Sequence, residues 1–230
     1  MKLLTIGMPF RGIIFDLDGT LLDTLDDIAN AANRVLSARG FPTHPNANYR
    51  KFIGEGVTRL ILRALPKTHQ DEATVQACVG AYVQEYERSW NAQTRPYAGV
   101  PEMLDGLVAR GLKLAVLSNK PDHFTQQCVC ELLAKWAFDV VLGASDAFPR
   151  KPDPVSAIET ARRLGVPPAE CLYVGDSGID MQTARAAHMC AAGVLWGFRG
   201  KGELLKDGAQ VLVEKPGEIL DLLNRESHCR

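Results

Sequence analysis

The chain has 230 residues, 46% of them hydrophobic, which is compatible with one large domain or two smaller ones around a substantial core. Its 26 basic and 27 acidic residues give a formal charge of -1 with no obvious segregation, so nothing points to a nucleic-acid or membrane partner. No segment approaches the roughly 20 apolar residues that span a bilayer, and Met1–Phe10 lacks the small-residue cleavage site of a signal peptide.

The first predicted strand, Gly12–Phe15, is apolar and ends at two carboxylates, Asp16 and Asp18, which are followed by Gly19 and Thr20. Residues i and i+2 of a strand point to the same side, so the two carboxylates can converge on one small ligand where the chain leaves the sheet. This pattern is typical of a catalytic strand end. The alternative is that Asp18 and Gly19 form a hairpin turn between two apolar runs.

The stretch from Thr24 to about Asn91 contains no predicted strand. Its first helical pattern places apolar residues on one face, as a packed amphipathic helix requires, and ends at Gly40. We interpret the stretch as a helical insertion between the first and second strands. Its predicted helices are Leu25–Arg39, Val57–Leu65 and Asp71–Trp90, and the apolar face of the first consists of Leu25, Ile28, Ala32, Val35 and Leu36.

After the insertion, short apolar runs alternate with helical patterns. The runs are apolar almost throughout, which indicates strands that are buried on both faces. Their alternation with helices predicts an α/β fold, a doubly wound parallel sheet with helices on both faces. The further predicted strands are Leu114–Ser118, Phe138–Leu142, Cys171–Gly175, Ala191–Leu195 and Val211–Val213. The predicted helices are Pro101–Arg110, Phe124–Ala134, Pro154–Leu164, Ile179–His188 and Glu218–Leu223, with Gly111 and Gly165 at two helix ends.

Polar residues follow the second of the predicted parallel strands. Ser118, Asn119 and Lys120 place a hydroxyl, an amide and an ammonium at its carboxyl end. Because ligands bind at the carboxyl ends of strands in an open parallel sheet, we expect these groups to share a site with Asp16. The alternative for this segment taken alone is a solvated loop.

Two later segments carry charged side chains. Lys151 is followed by Pro152 and Pro154 just before a predicted helix, and these prolines restrict the backbone there. A surface lysine is the alternative. Asp176 follows a predicted strand and is interpreted as a metal ligand, whereas Asp180, in the first turn of the next helix, can also act as a capping carboxylate.

In order and over nearly the whole chain, these segments resemble the four motifs of the haloacid dehalogenase superfamily of phosphohydrolases. The matching residues are Asp16 and Asp18 in the first motif, Ser118 in the second, Lys151 in the third, and Asp176 and Asp180 in the fourth. The helical insertion matches the small α-helical cap domain of that family. The resemblance implies a Rossmann-like catalytic core at residues 1–23 and 92–230 and a cap domain at residues 24–91.

More narrowly, several segments are similar to phosphoglycolate phosphatases. Two departures are visible: Ser118 stands where threonine is also common, and His188 replaces a usual glycine, which can alter a helix end. The similarity implies Mg²⁺-dependent hydrolysis of a small phosphorylated metabolite, and the expected substrate is 2-phosphoglycolate. Phosphatases of pyrophosphate, nucleotides or sugar phosphates, a phosphosugar mutase and a catalytically silent binding module are the alternatives. The similar segments are 18–24 (DGTLLDT), 52–56 (FIGEG), 96–100 (PYAGV), 118–121 (SNKP) and 196–199 (WGFR).

The resemblance also implies a role for each residue. Attack of an anion on a phosphate dianion requires a nucleophile, a cation to offset charge and a proton for the leaving oxygen. Asp16 is the expected nucleophile, which forms an aspartyl-phosphate, Asp18 is the expected acid and base, and Lys151 offsets charge. The expected Mg²⁺ ligands are the carboxylates of Asp16 and Asp176 and the backbone carbonyl of Asp18, supported by Asp180 and Ser177. The expected substrate-binding residues are Thr20, Ser118, Asn119, Lys151 and the loop Gly54-Glu55-Gly56, which as an alternative is a plain helix–helix turn.

The six cysteines lack the spacing of a zinc site. Cys128 and Cys130 are separated by one residue, and structural thiols in a reducing cytoplasm are favoured over disulfides or metal ligands. A cytoplasmic location is therefore expected, and the sequence leaves monomer and dimer open. The other cysteines are Cys78, Cys171, Cys190 and Cys229.

Overall fold

A six-stranded parallel sheet with helices on both faces forms the centre of the computed structural model, which describes residues 10–224. The predicted strands lie within a few residues of the observed ones. A separate antiparallel ribbon of Leu22–Asp23 with Arg95–Pro96 was not predicted, because a strand of two residues has no readable period. The strands are β1 (Gly12–Phe15), β2 (Leu22–Asp23), β3 (Arg95–Pro96), β4 (Lys113–Pro121), β5 (Val140–Ala144), β6 (Cys171–Gly175), β7 (Cys190–Val194) and β8 (Val211–Val213).

The predicted helices are confirmed with end shifts of a few residues, and the helix Lys201–Asp207 is an addition. His188, just past the end of the helix Gly178–Ala186, has a positive φ of 57°. Its backbone thus adopts the left-handed conformation that favours glycine. This is the position at which the family resemblance leads one to expect a glycine. The helices are α1 (Leu25–Ala38), α2 (Val57–Ala64), α3 (Glu72–Ser89), α4 (Val100–Ala109), α5 (Asp122–Leu132), α6 (Val155–Leu164), α7 (Gly178–Ala186), α8 (Lys201–Asp207) and α9 (Gly217–Asn224), and short 3₁₀ turns lie at Asn46–Lys51, Lys67–His69 and Pro168–Glu170.

The strand order β5-β4-β1-β6-β7-β8 places β1 in the interior of the sheet between β4 and β6. Alternate side chains of β1 face opposite sides: Ile14 joins one apolar core with α6 and α7, and Ile13 and Phe15 join the other. All three side chains are fully buried. Burial on both faces explains the continuous apolar run, and the doubly wound α/β fold is confirmed.

The insertion between β2 and β3 is helical, as predicted, and α1 packs against α3. All five residues of the predicted apolar face of α1 are buried. Where the chain returns from the insertion, the buried carboxylate of Asp27 accepts hydrogen bonds from the backbone N–H groups of Gln93 and Thr94 and from the Thr94 hydroxyl. Asp27 and the β2–β3 ribbon therefore hold the two ends of the insertion together, while its division into a domain at residues 24–91 stays a prediction.

Within residues 10–224, no helix is long and apolar enough to cross a membrane. The cysteines of this part of the chain are free thiols, and all are buried except Cys130. Cys229 and nearly all of the Met1–Phe10 segment lie outside the described residues.

Candidate active site

The predicted site residues gather at the carboxyl ends of β1, β4 and β6, which are neighbours in the sheet. Asp16 follows β1, and Asp176 follows β6. Ser118, Asn119 and Lys120 lie within β4, which continues to Pro121 instead of ending at Ser118. These groups are far apart in the sequence. The crossover between β5 and β6 places β6 beside β1 and so brings them together.

Asp16, Asp176 and Asp180 form a buried acidic cluster in which one carboxylate oxygen from each lies within 4.8 Å of the others. Burial, with the charge of Asp180 as the next cause, raises the pKa of Asp16 to about 7. Burial likewise raises the pKa of Asp176 well above its ordinary value. Buried carboxylates so close together repel one another and could hold a cation, and oxygen ligands of this kind fit Mg²⁺. The cluster joins two of the predicted carboxylate ligands, whereas the Asp18 carboxylate lies outside it.

Lys151 is the ammonium that contacts this cluster. Its Nζ lies 3.0 Å from Asp16 Oδ1 and 2.7 Å from Asp180 Oδ1, and it donates to the Leu117 carbonyl at 3.0 Å. Burial of the side chain lowers the pKa of this ammonium, but the two carboxylates outweigh burial and hold the pKa well above its usual value. Lys151 is therefore a buried side chain in contact with the acidic cluster and not a surface lysine, while its catalytic role stays a prediction.

Asp180 combines the two interpretations that the sequence left open. Its Oδ2 accepts hydrogen bonds from the hydroxyl and the backbone N–H of Ser177, at 2.6 and 3.1 Å, which closes a capping box at the start of α7. Its Oδ1 faces Lys151. The helix cap thus fixes the orientation of a carboxylate that in turn holds the lysine ammonium.

Asn119 positions the lysine backbone in the structure. Its amide oxygen accepts from the Lys151 N–H at 2.9 Å, and its amide nitrogen donates to the carbonyls of Lys151 and Gly54 at 3.0 and 2.9 Å. Both amide hydrogens are therefore engaged by backbone carbonyls, one of them in the loop of the insertion. Asn119 also lines the cavity beside the acidic cluster.

Lys120 is a site residue to which the sequence analysis assigned no role. Its Nζ lies 2.9 and 3.3 Å from the two carboxylate oxygens of Asp18 and donates to the Tyr86 hydroxyl at 2.8 Å. The lysine and aspartate side chains are 4% and 12% exposed. Burial lowers the pKa of Lys120, but the neighbouring Asp18 charge outweighs burial and holds the pKa well above its ordinary value. The available signal was its position directly after Ser118 and Asn119 at the carboxyl end of β4.

A cavity that is connected to solvent opens over these groups. Its polar part includes Asp16, Asp18, Ser118, Asp176 and Arg199. Residues of the insertion contribute most of an apolar part of the cavity wall, to which α5 of the core also contributes. Residues of this apolar part include Ile28, Ile53, Val57, Leu60, Tyr82 and Phe124.

The predicted lid loop is placed over this cavity only in part. Gly54 and Gly56 line the cavity, with positive φ values of 119° and 85°. Glu55 does not line it and instead pairs with Arg63. Thr20 is buried but is not in the cavity wall, and its hydroxyl has no hydrogen-bond partner among the described residues.

The chain matches a known family over most of its length. A sequence model described as haloacid dehalogenase-like hydrolase matches residues 13–194. A phosphoglycolate phosphatase of Xylella fastidiosa (strain 9a5c) is 37% identical over 209 residues, which cover 90% of each chain. The phosphoglycolate phosphatase of Nitrosospira multiformis is 32% identical over 225 residues, covering 96% of this chain and 98% of its own. A solved structure from Lactobacillus delbrueckii subsp. bulgaricus aligns with a TM-score of 0.88 at 32% identity, covering 94% of this chain and 99% of that one.

Proposed function

The chain is a phosphatase that belongs to the haloacid dehalogenase-like hydrolase family, and we propose that it hydrolyses 2-phosphoglycolate through a phosphorylated Asp16 with Mg²⁺ as cofactor. The substrate is supported by the relatives of that name, which are similar over most of the chain. The chemistry rests on one observation: Asp16 and Asp18 both line the cavity, and each is held by a different lysine.

Asp16 has one oxygen held and one available. Oδ1 accepts from the Leu17 N–H at 2.7 Å and lies 3.0 Å from Lys151 Nζ, while no hydrogen bond from a described residue reaches Oδ2. In the proposed first step Oδ2 attacks phosphorus and the bond from phosphorus to the ester oxygen breaks. Asp18 donates a proton to the leaving oxygen. In the second step Asp18 takes a proton from water, which attacks phosphorus and releases the Asp16 carboxylate.

The surrounding residues hold the charges of this reaction. Lys151 offsets the negative charge of Asp16 and of the phosphoryl group, and the Ser118 hydroxyl can donate to a phosphoryl oxygen. Mg²⁺ would be held by Asp16 and Asp176, with the Asp18 backbone carbonyl as the third ligand that the family resemblance implies. Once bound, it would supply positive charge against the phosphate oxygens and the acidic cluster.

A trapping experiment tests the covalent step. Asp16→Asn should abolish turnover and prevent any phosphoenzyme, because a neutral amide is a poor nucleophile. Asp18→Asn retains the nucleophile, so a substrate with a good leaving group should still phosphorylate Asp16, and hydrolysis of that intermediate should be slow. Intact mass after rapid quenching locates the phosphoryl group. Label on Ser118 or His123 would contradict the mechanism.

Initial rates on a panel of esters test the substrate. 2-Phosphoglycolate should have the highest kcat/KM among phosphoglycolate, pyrophosphate, nucleotides and sugar phosphates at matched concentrations. The apolar part of the cavity wall favours one second candidate, a nucleotide, because its base presents an apolar face. A kcat/KM for such an ester ten times that for 2-phosphoglycolate, about 1.4 kcal/mol of transition-state preference, would contradict the proposed substrate. The assignment as a phosphatase would be unaffected.

A further inference from the structure

Arg199 lies in the cavity wall with one guanidinium nitrogen unused. Its Nε lies 3.2 Å from Glu203 Oε1, and its Nη2 donates to the Ile53 carbonyl at 2.9 Å. Its Nη1 is buried and has no hydrogen-bond partner among the described residues. Buried donors are nearly always paired in folded proteins, so a nitrogen of this kind at a cavity wall calls for an acceptor from a ligand.

The position of Arg199 is close to the reacting groups. The preceding residue, Phe198, donates its backbone N–H to Asp176 Oδ2 at 2.6 Å, which fixes this loop beside the acidic cluster. Two cations line the cavity among the described residues, Lys120 and Arg199. Lys120 is engaged by Asp18 and Tyr86. Arg199 is therefore the cavity cation that retains a donor for substrate.

We propose that Arg199 binds the carboxylate of the substrate through Nη1 and thereby selects phosphate esters whose leaving group is an acid. This proposal rests on the proposed function, since 2-phosphoglycolate is such an ester. One methylene separates its ester oxygen from its carboxylate carbon, so the carboxylate must lie near the phosphoryl group. A guanidinium suits that partner, because hydrogen bonds between arginine and a carboxylate are charge-assisted and directional.

Arg50 offers a matched control. Arg199 also joins core and insertion through the Ile53 carbonyl, so its loss removes a bridging hydrogen bond as well as the free donor. Arg50 makes the reverse bridge, from the insertion to the Gly197 carbonyl at 3.1 Å, and it does not line the cavity. Arg50→Met therefore removes a bridge of the same kind and leaves the free donor in place.

The test compares 2-phosphoglycolate with n-propyl phosphate, which has a similar length but no charge on its leaving group. Arg199→Met should lower kcat/KM for 2-phosphoglycolate by about 10- to 100-fold, the value of a hydrogen bond to a charged group. The loss should appear mainly in KM, because the carboxylate is bound before and during reaction. The value for propyl phosphate should change by less than about threefold, as the contact is absent there. Arg50→Met should affect both esters alike.

Glycolate inhibition supplies a second measurement if Arg199→Met folds poorly. Arg199→Lys keeps the positive charge but lacks the planar pair of N–H donors of the guanidinium. Glycolate should therefore inhibit propyl phosphate hydrolysis more weakly in this variant than in the wild type. Equal losses for both esters, or unchanged glycolate inhibition in Arg199→Lys, would overturn the role of Arg199 and leave the substrate assignment intact. A wild type without preference for 2-phosphoglycolate would instead remove the proposed substrate, and the role of Arg199 with it.

Discussion

Replacing Asp16 by Asn should stabilise the metal-free protein at neutral pH, although it removes the proposed nucleophile. The Asp16 side chain is buried beside the charges of Asp180 and Asp18, and only Lys151 opposes them among its nearest charged groups. Burial is the largest cause that raises its pKa from 3.8 to about 7. An amide resembles the protonated carboxyl, so the variant avoids the cost of holding an anion there.

The sign follows from proton binding. Because the folded carboxyl binds its proton more tightly than the unfolded one, the folded state loses stability as pH rises from about 4 to 7. A pKa raised from 3.8 to about 7 corresponds to about 4 kcal/mol at roughly 1.4 kcal/mol per pH unit. The Asn variant should thus exceed the wild type by up to about 4 kcal/mol at pH 8 and by less than about 1 kcal/mol at pH 4.

Urea unfolding in EDTA at pH 4, 6 and 8 measures this difference in the free energy of unfolding. Saturating Mg²⁺ should reverse the order at pH 8, because the wild type retains the carboxylate that the ion requires. Asp27→Asn is the control: it also neutralises a buried carboxylate, but one that accepts hydrogen bonds from Gln93 and Thr94. That variant should be less stable than the wild type. A wild type at least as stable as Asp16→Asn at pH 8 in EDTA would refute the reasoning.

Two further predictions concern the metal and the acid. Asp176→Ala should raise the half-saturating Mg²⁺ concentration for activity by more than about tenfold. Ser118→Ala should instead raise KM and leave that concentration unchanged. If the two variants gave the same Mg²⁺ titration curve, Asp176 would not be a metal ligand. Lys120→Met should lower kcat/KM by about 10²- to 10⁴-fold, because Asp18 loses the ammonium that orients it. Tyr86→Phe removes one hydroxyl contact of Lys120 and should cost less than about tenfold, and steady-state rates in which the tyrosine variant is the more impaired would contradict this order.

The amino-acid sequence by itself determined most of the helices and strands of the core and the main chemical groups, but neither the β2–β3 ribbon nor α8. The run Gly12–Phe15 and the carboxylates that follow it are contiguous, so alternation within the strand already placed Asp16 and Asp18 on one side of its end. The apolar face of α1 was readable because helical periodicity is a property of neighbouring residues. The expectation that the site lies at the carboxyl ends of the strands followed from the rule for ligand binding in open parallel sheets. The order of the strands came from the structure alone.

Only the tertiary structure decided how the charged groups pair. Lys120 and Asp18 are 102 residues apart, and nothing in local spacing shows that this lysine contacts Asp18 while Lys151 contacts Asp16 and Asp180. The engagement of Asn119 by backbone groups and the unused nitrogen of Arg199 depend in the same way on distant segments. Periodicity reports the conformation of neighbours in the chain. Pairing of buried charges depends on distances of a few ångströms between side chains. These side chains meet only when the sheet has formed and the insertion has packed against it.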